Sequence, residues 1–169
     1  MTDAGPPVVV RTATPADFPA VAELTVRVYV DGGFTGASYA PRLADAAGRA
    51  AAGDLLVAED PATRAIVGTA SLFGWQAGPE WSERAGPGEA VLRMLAVDEA
   101  ARGRGIGAAL TRSAIVRARR MGCHRLRLLT QPNMQAAHRL YQRLGFERAP
   151  DLDWEPEPGI PLIGYRYQL

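Results

Sequence analysis

The segment that most restricts this chain runs from Glu89 to Met121. An apolar stretch, Glu89 to Val97 (EAVLRMLAV), leads into Arg102-Gly103-Arg104-Gly105-Ile106-Gly107. Ile106, Leu110, Ala114, Ala118 and Met121 then recur at steps of three and four, the spacing of one buried helix face. A strand, a glycine bend and a helix in that order bring consecutive main-chain amides to a helix N-terminus, where they form a pocket for anionic oxygens. Glycine lets that backbone approach a ligand with no Cβ in the way. Arg102 and Arg104 add charge-assisted donors at the same place.

The charge pattern points the same way. All nineteen basic residues are arginine. Ten of them (Arg102, Arg104, Arg112, Arg117, Arg119, Arg120, Arg125, Arg127, Arg139 and Arg143) lie between Glu99 and Glu147 with no acid among them. The other nine stand against all eighteen acids, so one region is expected to meet an anion and the rest is not. A compositional bias that scatters arginines over solvated helix faces explains any one of them better than the whole run. With no lysine in the chain, a P-loop is excluded. A dinucleotide fingerprint on Gly103, Gly105 and Ala108 fails because Asp98-Glu99-Ala100-Ala101 separate strand from glycine, and Arg119 to Gln131 lacks the ribose-binding acid. Nucleic acid is not an expected partner: no aromatic residues interleave the arginines, and Leu110, Ala114 and Ala118 commit their helix to a core.

The chain has 169 residues, room for one domain and too few for two ordinary ones. At 47% hydrophobic and 22% charged it has the composition of a globular protein, not a disordered one. No apolar run approaches the roughly 20 residues that cross a bilayer, and the start Met1-Thr2-Asp3-Ala4-Gly5-Pro6-Pro7 has no secretory leader pattern. A membrane partner is therefore not expected, and a cytoplasmic location is. One cysteine, Cys123, and two histidines supply no cysteine-based zinc site, so no metal is expected.

Strands are expected at Val8 to Thr12, Leu55 to Glu59, Ile66 to Phe73, Glu89 to Val97, Arg125 to Thr130 and Tyr165 to Leu169. The second and third form a hairpin. Helices are expected after Thr14-Pro15 with Phe18, Val21, Leu24 and Val28 inward, from Ala40 to Gly53, from Gly105 to Met121, and from Met134 to Leu144. Gly74 to Gly88 and Ala149 to Pro161 read as loops. The result is an α/β fold with a mixed, part-antiparallel sheet of six to seven strands and about four helices.

Leu95-Ala96-Val97-Asp98-Glu99-Ala100-Ala101-Arg102-Gly103-Arg104-Gly105-Ile106-Gly107 resembles the acyl-CoA pyrophosphate loop of the GCN5-related N-acetyltransferase (GNAT) superfamily. Glu99 departs from it where proline is frequent. Leu140-Tyr141-Gln142-Arg143-Leu144-Gly145-Phe146 resembles that family's second signature, Leu-Tyr-x-Lys/Arg-x-Gly-Phe. The resemblance is tight from Glu89 to Phe146 and architectural elsewhere. It implies a single GNAT-like domain over residues 1–169 that uses acetyl-CoA as co-substrate. The strand before the loop would splay from its neighbour at a bulge, with the pantetheine arm in the gap. Leu95 and Val97 would meet that arm through their backbone, with Ala96 between them, and the amides from Gly103 through Ile106 and Gly107 to Ala108 would hold the pyrophosphate. Asn133 is a further candidate for the arm, and equally suits a helix N-cap. Arg143 or Arg139 is the candidate for the 3′-phosphate, against an exposed helix face.

The resemblance places Tyr141 as general acid for the departing thiolate; the competing reading is a packed core tyrosine. The base that deprotonates the amine is open among Glu89, at the start of the central strand, and Glu80 and Glu83 in the tryptophan-bearing loop. The acceptor pocket is expected from Tyr29 to Tyr39, Trp75 to Trp81 and Leu152 to Trp154, with Phe34, Tyr39, Glu80, Trp81 and Trp154 as its wall. His138 reads as a surface residue and Cys123 as an inert thiol. The leading expectation is an acyl-CoA-dependent N-acyltransferase acting on a small-molecule or peptide amine, as monomer or homodimer. The alternative is a non-catalytic CoA-binding or regulatory module of the same fold.

Overall fold

The computed structural model describes residues 7–169, so most of the start on which the leader expectation was placed, Met1 to Pro6, lies outside the described residues. β1 (Val9–Thr12) leads to Thr14, whose N–H donates to Asp17 Oδ2 at 2.7 Å. That reciprocal cap leads through a 3-10 turn into α1 (Phe18–Val26), which buries Val21 and Leu24 as its spacing predicts. α1 then loosens into one π-helical turn, Arg27–Asp31. The single helix expected from Ala40 to Gly53 is two, α2 (Ala40–Ala44) and α3 (Ala46–Ala52). Asp45 breaks it at ψ 65°, and its carboxylate accepts from the Gly48 N–H at 2.8 Å to cap α3.

β2 (Asp54–Glu59) and β3 (Ile66–Gly74) form the expected antiparallel hairpin. The following segment, expected as loop, holds one helical turn, α4 (Pro79–Ser82). β4 (Glu89–Val97) precedes α5 (Ile106–Arg120), which Gly122 terminates at φ +75°. β5 (Arg125–Thr130), α6 (Gln135–Arg143) and a two-residue β6 (Glu147–Arg148) follow. The proline-rich stretch expected as a loop contains β7 (Trp154–Glu157), which turns at Gly159 (φ +83°) into β8 (Ile160–Gln168). Among the described residues, eight strands and six α-helices thus stand where six to seven and about four were expected. A one-turn helix and a two-residue strand are too short to carry a period. The mixed, part-antiparallel α/β class is as read.

The sheet runs β1-β2-β3-β4-β5-β8-β6 with β7 on β8, and every pairing is antiparallel except β4 with β5. Ile106, Leu110, Ala114 and Ala118 of α5 pack with Leu56, Ala58, Ala70 and Leu72 on one face of the sheet. Leu55 and Val57, alternating with those strand residues, pack with Val21 of α1 and Ala46 of α3 on the other. Full burial of a side chain such as Leu110 stabilises by about 1.5–3 kcal/mol. Met121, expected to extend the α5 stripe, is 46% exposed because the helix ends one residue before it.

One irregularity positions everything that follows. Thr69 faces Ala96 and Ser71 faces Arg93, so two steps along β3 match three along β4. The extra residue is a bulge, with Met94 at φ +54°, a left-handed conformation that costs an L-residue about 1–2 kcal/mol. Pairing of β4 with β5 runs from Glu89 opposite Arg125 to Leu92 opposite Leu128 and stops there. Past the bulge the two strands part.

At the far edge, Arg11 joins Asp17 and Glu59 at 2.7 and 2.6 Å. Its guanidinium, opposed by burial, holds the Asp17 carboxyl down to about 2. The pKa of Asp17 is thus lower folded than unfolded, so its contribution is complete above the ordinary aspartate range and is lost as pH falls from about 4 towards 2. Solvent access to Arg11 trims the effect to about 1 kcal/mol. Asp17→Asn is expected to lower Tm at pH 7 and to narrow the gap from wild type at pH 2, read by thermal melts across that range.

Candidate active site

Strand alternation decides which β4 backbone groups face the gap. The Asp98 N–H donates to the Val67 carbonyl at 2.9 Å, so Asp98 and Ala96 turn their polar groups to β3, and Leu95 and Val97 turn theirs towards the parted strands. Tyr29, in the middle of the π-turn, donates its hydroxyl to the Leu95 carbonyl at 2.9 Å. The Tyr29 carbonyl accepts from the N–H groups of Phe34 (2.9 Å) and Thr35 (3.0 Å), and the Phe34 ring stands edge-on to the phenol at 6.5 Å. Gln131, just past β5, donates its side-chain amide to the Phe34 carbonyl. The lip after α1 therefore touches both banks of the gap. Such π-turns occur often at functional sites.

At the other end of the gap is the glycine bend. Gly103 and Gly105 have φ +82° and +73°, and a Cβ built on either meets no atom within 4 Å, so the space above them is open. The backbone N–H groups of Gly103, Gly105, Ile106, Gly107 and Ala108 have no backbone acceptor among the described residues. Those from Ile106 onward are the first donors of α5, which no helix can satisfy internally. Gly107 has a packing reason as well, since a Cβ there would stand 3.0 Å from Leu140 Cδ2. A diphosphate fits this cradle of open amides at the positive end of a 15-residue helix. Arg102 is exposed at its rim, whereas Arg104 is drawn back to Asp60 Oδ2 at 2.9 Å. Arg139 and Arg143 are exposed on α6. Asn133 is exposed in the turn before α6, and the N-cap position falls on Met134 instead.

Tyr141 is 6% exposed on the inward face of α6, with the rings of Phe146 and Tyr165 at 5.6 and 6.2 Å. Burial, with Tyr29 adding to it, pushes its phenol far above the usual tyrosine range. Burial does the same to Tyr29, partly offset by Arg49 and Arg93. Both phenols therefore keep their protons at neutral pH. His138 is half-buried, its Nε2 2.9 Å from the Gln131 carbonyl, and Cys123 is half-buried with its thiol pushed up by burial.

The three carboxylates have different fates. Glu89 takes the Gly86 N–H at 2.8 Å, Arg125 at 2.9 Å and Arg127 at 3.4 Å. Burial raises its pKa, but the Gly86 N–H and the two guanidiniums outweigh that and leave it lowered. It also lies six residues from Leu95 along a strand, about 20 Å. Glu80 is exposed, its side chain 61% open to solvent. Glu83 turns inward: Oε1 pairs with Arg93 Nε at 2.7 Å, while Oε2 is buried with no hydrogen-bond partner among the described residues. Burial raises its pKa against the pull of Arg93 and Arg127.

Tyr39, Glu80 and Trp81 line one open cleft of about 720 Å³ with Arg42 and Asp45. Arg93 reaches it, donating to the Tyr39 hydroxyl at 2.9 Å and to the Glu80 carbonyl at 2.8 Å. Phe34 stands instead at the lip beside Tyr29, and Trp154 lies apart, under the Arg84 guanidinium at 5.3 Å. Tyr29 is the residue that sequence reasoning reached only as the boundary of a stretch; its signal, a π-turn, has no pattern in the residue order. Among the described residues no His, Cys, Asp and Glu are grouped as a metal would need.

Comparison with known proteins agrees with this geometry. A family model, Acetyltransferase (GNAT) family, matches residues 18–146. A GCN5-related N-acetyltransferase from Kribbella flavida is similar at 30% identity and TM-score 0.70, over 96% of this chain and 98% of that one. A GNAT-family acetyltransferase from Staphylococcus aureus Mu50 has TM-score 0.75 at 17% identity, over 96% and 99%. The yncA protein of Salmonella typhimurium, solved with its cofactor acetyl-CoA, has TM-score 0.70 at 23% identity, over 97% and 95%. No curated protein sequence matches significantly. A splayed parallel pair, a bulge and an amide-lined bend come together inside the span that the family model covers, and on that footing the chain belongs to the GNAT family of acetyltransferases.

Proposed function

We propose that this protein transfers an acetyl group from acetyl-CoA directly to a primary amine. The observation that carries the reading is the gap past the β4 bulge, closed at one end by unpaired amides and at the other by two phenols and a buried carboxylate. Bound acetyl-CoA supplies the thioester. The Gly103 to Ala108 amides hold its diphosphate, and the backbone of Leu95 and Val97 pairs with the pantetheine arm as a neighbouring strand would. The Leu95 N–H, turned to the gap by strand alternation, would donate to the thioester carbonyl oxygen as it gains charge.

An alkyl ammonium loses two protons in becoming an amide. Glu83, not Glu89, takes the first, because one of its oxygens is unbonded and burial makes it a stronger base than an ordinary carboxylate. The amine nitrogen then bonds to the acyl carbon and the carbon–sulfur bond breaks. Tyr141 gives its proton to the sulfur and recovers one from the new amide nitrogen. The mixed-charge cleft at Tyr39, Glu80 and Trp81 receives the rest of the acceptor, a small-molecule or peptide amine.

The test is a panel of amines with acetyl-CoA, following free thiol, together with Gly105→Val. Valine at φ +73° is a strong outlier and its branches fill the cradle. CoA affinity by calorimetry is expected to fall by about tenfold or more, while strain of about 1–2 kcal/mol leaves the fold intact by circular dichroism. Thiol release at background with every amine, or an unchanged CoA affinity in the variant, would reject the assignment.

A further inference from the structure

Beneath the reacting end of the gap lie two guanidiniums and one buried carboxylate. Arg49 of α3 is 0% exposed. Its Nε donates to Ser71 Oγ at 2.8 Å, and its Nη1 to Thr25 Oγ1 at 3.1 Å and the Leu43 carbonyl at 3.2 Å. Among the described residues no acid pairs with it, and its Nη2 has no partner. Ser71 stands directly opposite Arg93 in the β3–β4 register, so the two guanidiniums share one face of the sheet. Arg93 lies two residues before Leu95 and is matched by Glu83. The other titratable groups facing this interior are Arg127 of β5, itself matched by Glu89 at 3.4 Å, Tyr29 of the π-turn, Tyr39 before α2, Tyr141 of α6, and Asp45 at the head of α3. Asp45 is exposed, its charge turned to water. The interior thus holds one positive charge in excess.

A buried charge without a counter-ion is unfavourable. We propose that Arg49 supplies a standing positive potential that stabilises the thiolate sulfur leaving coenzyme A. The guanidinium acts through space, being sealed from contact. This rests on the reading that the thioester arm lies in the β4–β5 gap. As the carbon–sulfur bond breaks, its electron pair goes to sulfur, and the proton follows from Tyr141. Once Glu83 has taken the amine proton, the interior gains a second uncompensated positive charge just as the sulfur becomes negative.

The test titrates the thiol of CoA bound to the full chain, by thiolate ultraviolet absorbance, in a Cys123→Ala background so that no other thiol reports. Arg49→Met is expected to raise the pKa of the bound thiol by about one unit, the size of effect one nearby charge exerts through an effective dielectric of about 20. Arg49→Lys, which keeps the charge and loses the hydrogen bonds, is expected to stay within a few tenths of the parent. A bound thiol unmoved in Arg49→Met, or moved equally in Arg49→Lys, would overturn the proposal. Should the methionine variant not fold, Arg49→Gln provides the neutral chain. Absence of CoA binding in the parent would overturn the reading of the gap instead.

Discussion

Replacing Tyr141 by phenylalanine is expected to lower turnover by about 10²–10⁴-fold while CoA affinity stays within about twofold. One oxygen changes. The ring remains packed against Phe146 and Tyr165, and the hydroxyl makes no hydrogen bond among the described residues whose loss would unsettle the fold. Tm should therefore move by little. Burial raises the Tyr141 phenol, so it stays protonated through the neutral and mildly alkaline range and is an acid there, not a base. Turnover and calorimetry on the same preparation separate the possibilities. Undiminished turnover would leave Tyr141 as core packing, and an equal loss of CoA affinity would make it a binding residue.

The residue order carried the glycine bend at one end of the gap and little of what stands at the other. The glycine bend is legible because a backbone that must be free of Cβ atoms leaves a compositional trace, Gly103, Gly105 and Gly107 at fixed spacing before an apolar stripe. The α5 face is legible because burial imposes a period, and Met121 escaped it only where the helix ended. No residue type marks the bulge at Met94; only the resemblance of the following loop implied one on this strand. Asp45, unremarkable in an alanine-rich run, splits one helix into two through a single cap. Glu89 looked attractive as the head of the central strand, yet Arg125 and Arg127 reach it across the sheet from a strand 36 residues on. Tyr29, Arg49 and Glu83 converge from three segments far apart in the chain, and no local pattern joins them.

Glu83→Gln is expected to lower kcat/KM by about 10²–10⁴-fold and to erase the acidic limb of its pH profile. A base works only when ionised. The wild-type rate should therefore climb as pH rises through the raised carboxyl pKa, and a glutamine, which does not titrate, has no such limb. Stability should move differently from activity. Because the folded chain holds the Glu83 proton more readily than the unfolded chain does, ionisation of this group weakens the fold as pH rises above its unfolded pKa. Glutamine keeps an oxygen for Arg93 Nε and escapes that cost, while Arg93 loses its counter-charge, and the two changes oppose each other. Tm at pH 7 should thus change far less than the rate. The backbone points to the same trade: Glu83 and Arg84 sit consecutively at φ +44° and +65°, each costing about 1–2 kcal/mol. Arg127 holds the strained pair by donating to the carbonyls of Glu83 at 3.1 Å and Arg84 at 3.4 Å, and Arg84 is stacked on Trp154. The effect of that strain is to aim one carboxylate inward, with an oxygen left unbonded. A variant that kept wild-type rates and its acidic limb would move the base to exposed Glu80 and leave the strain without a function.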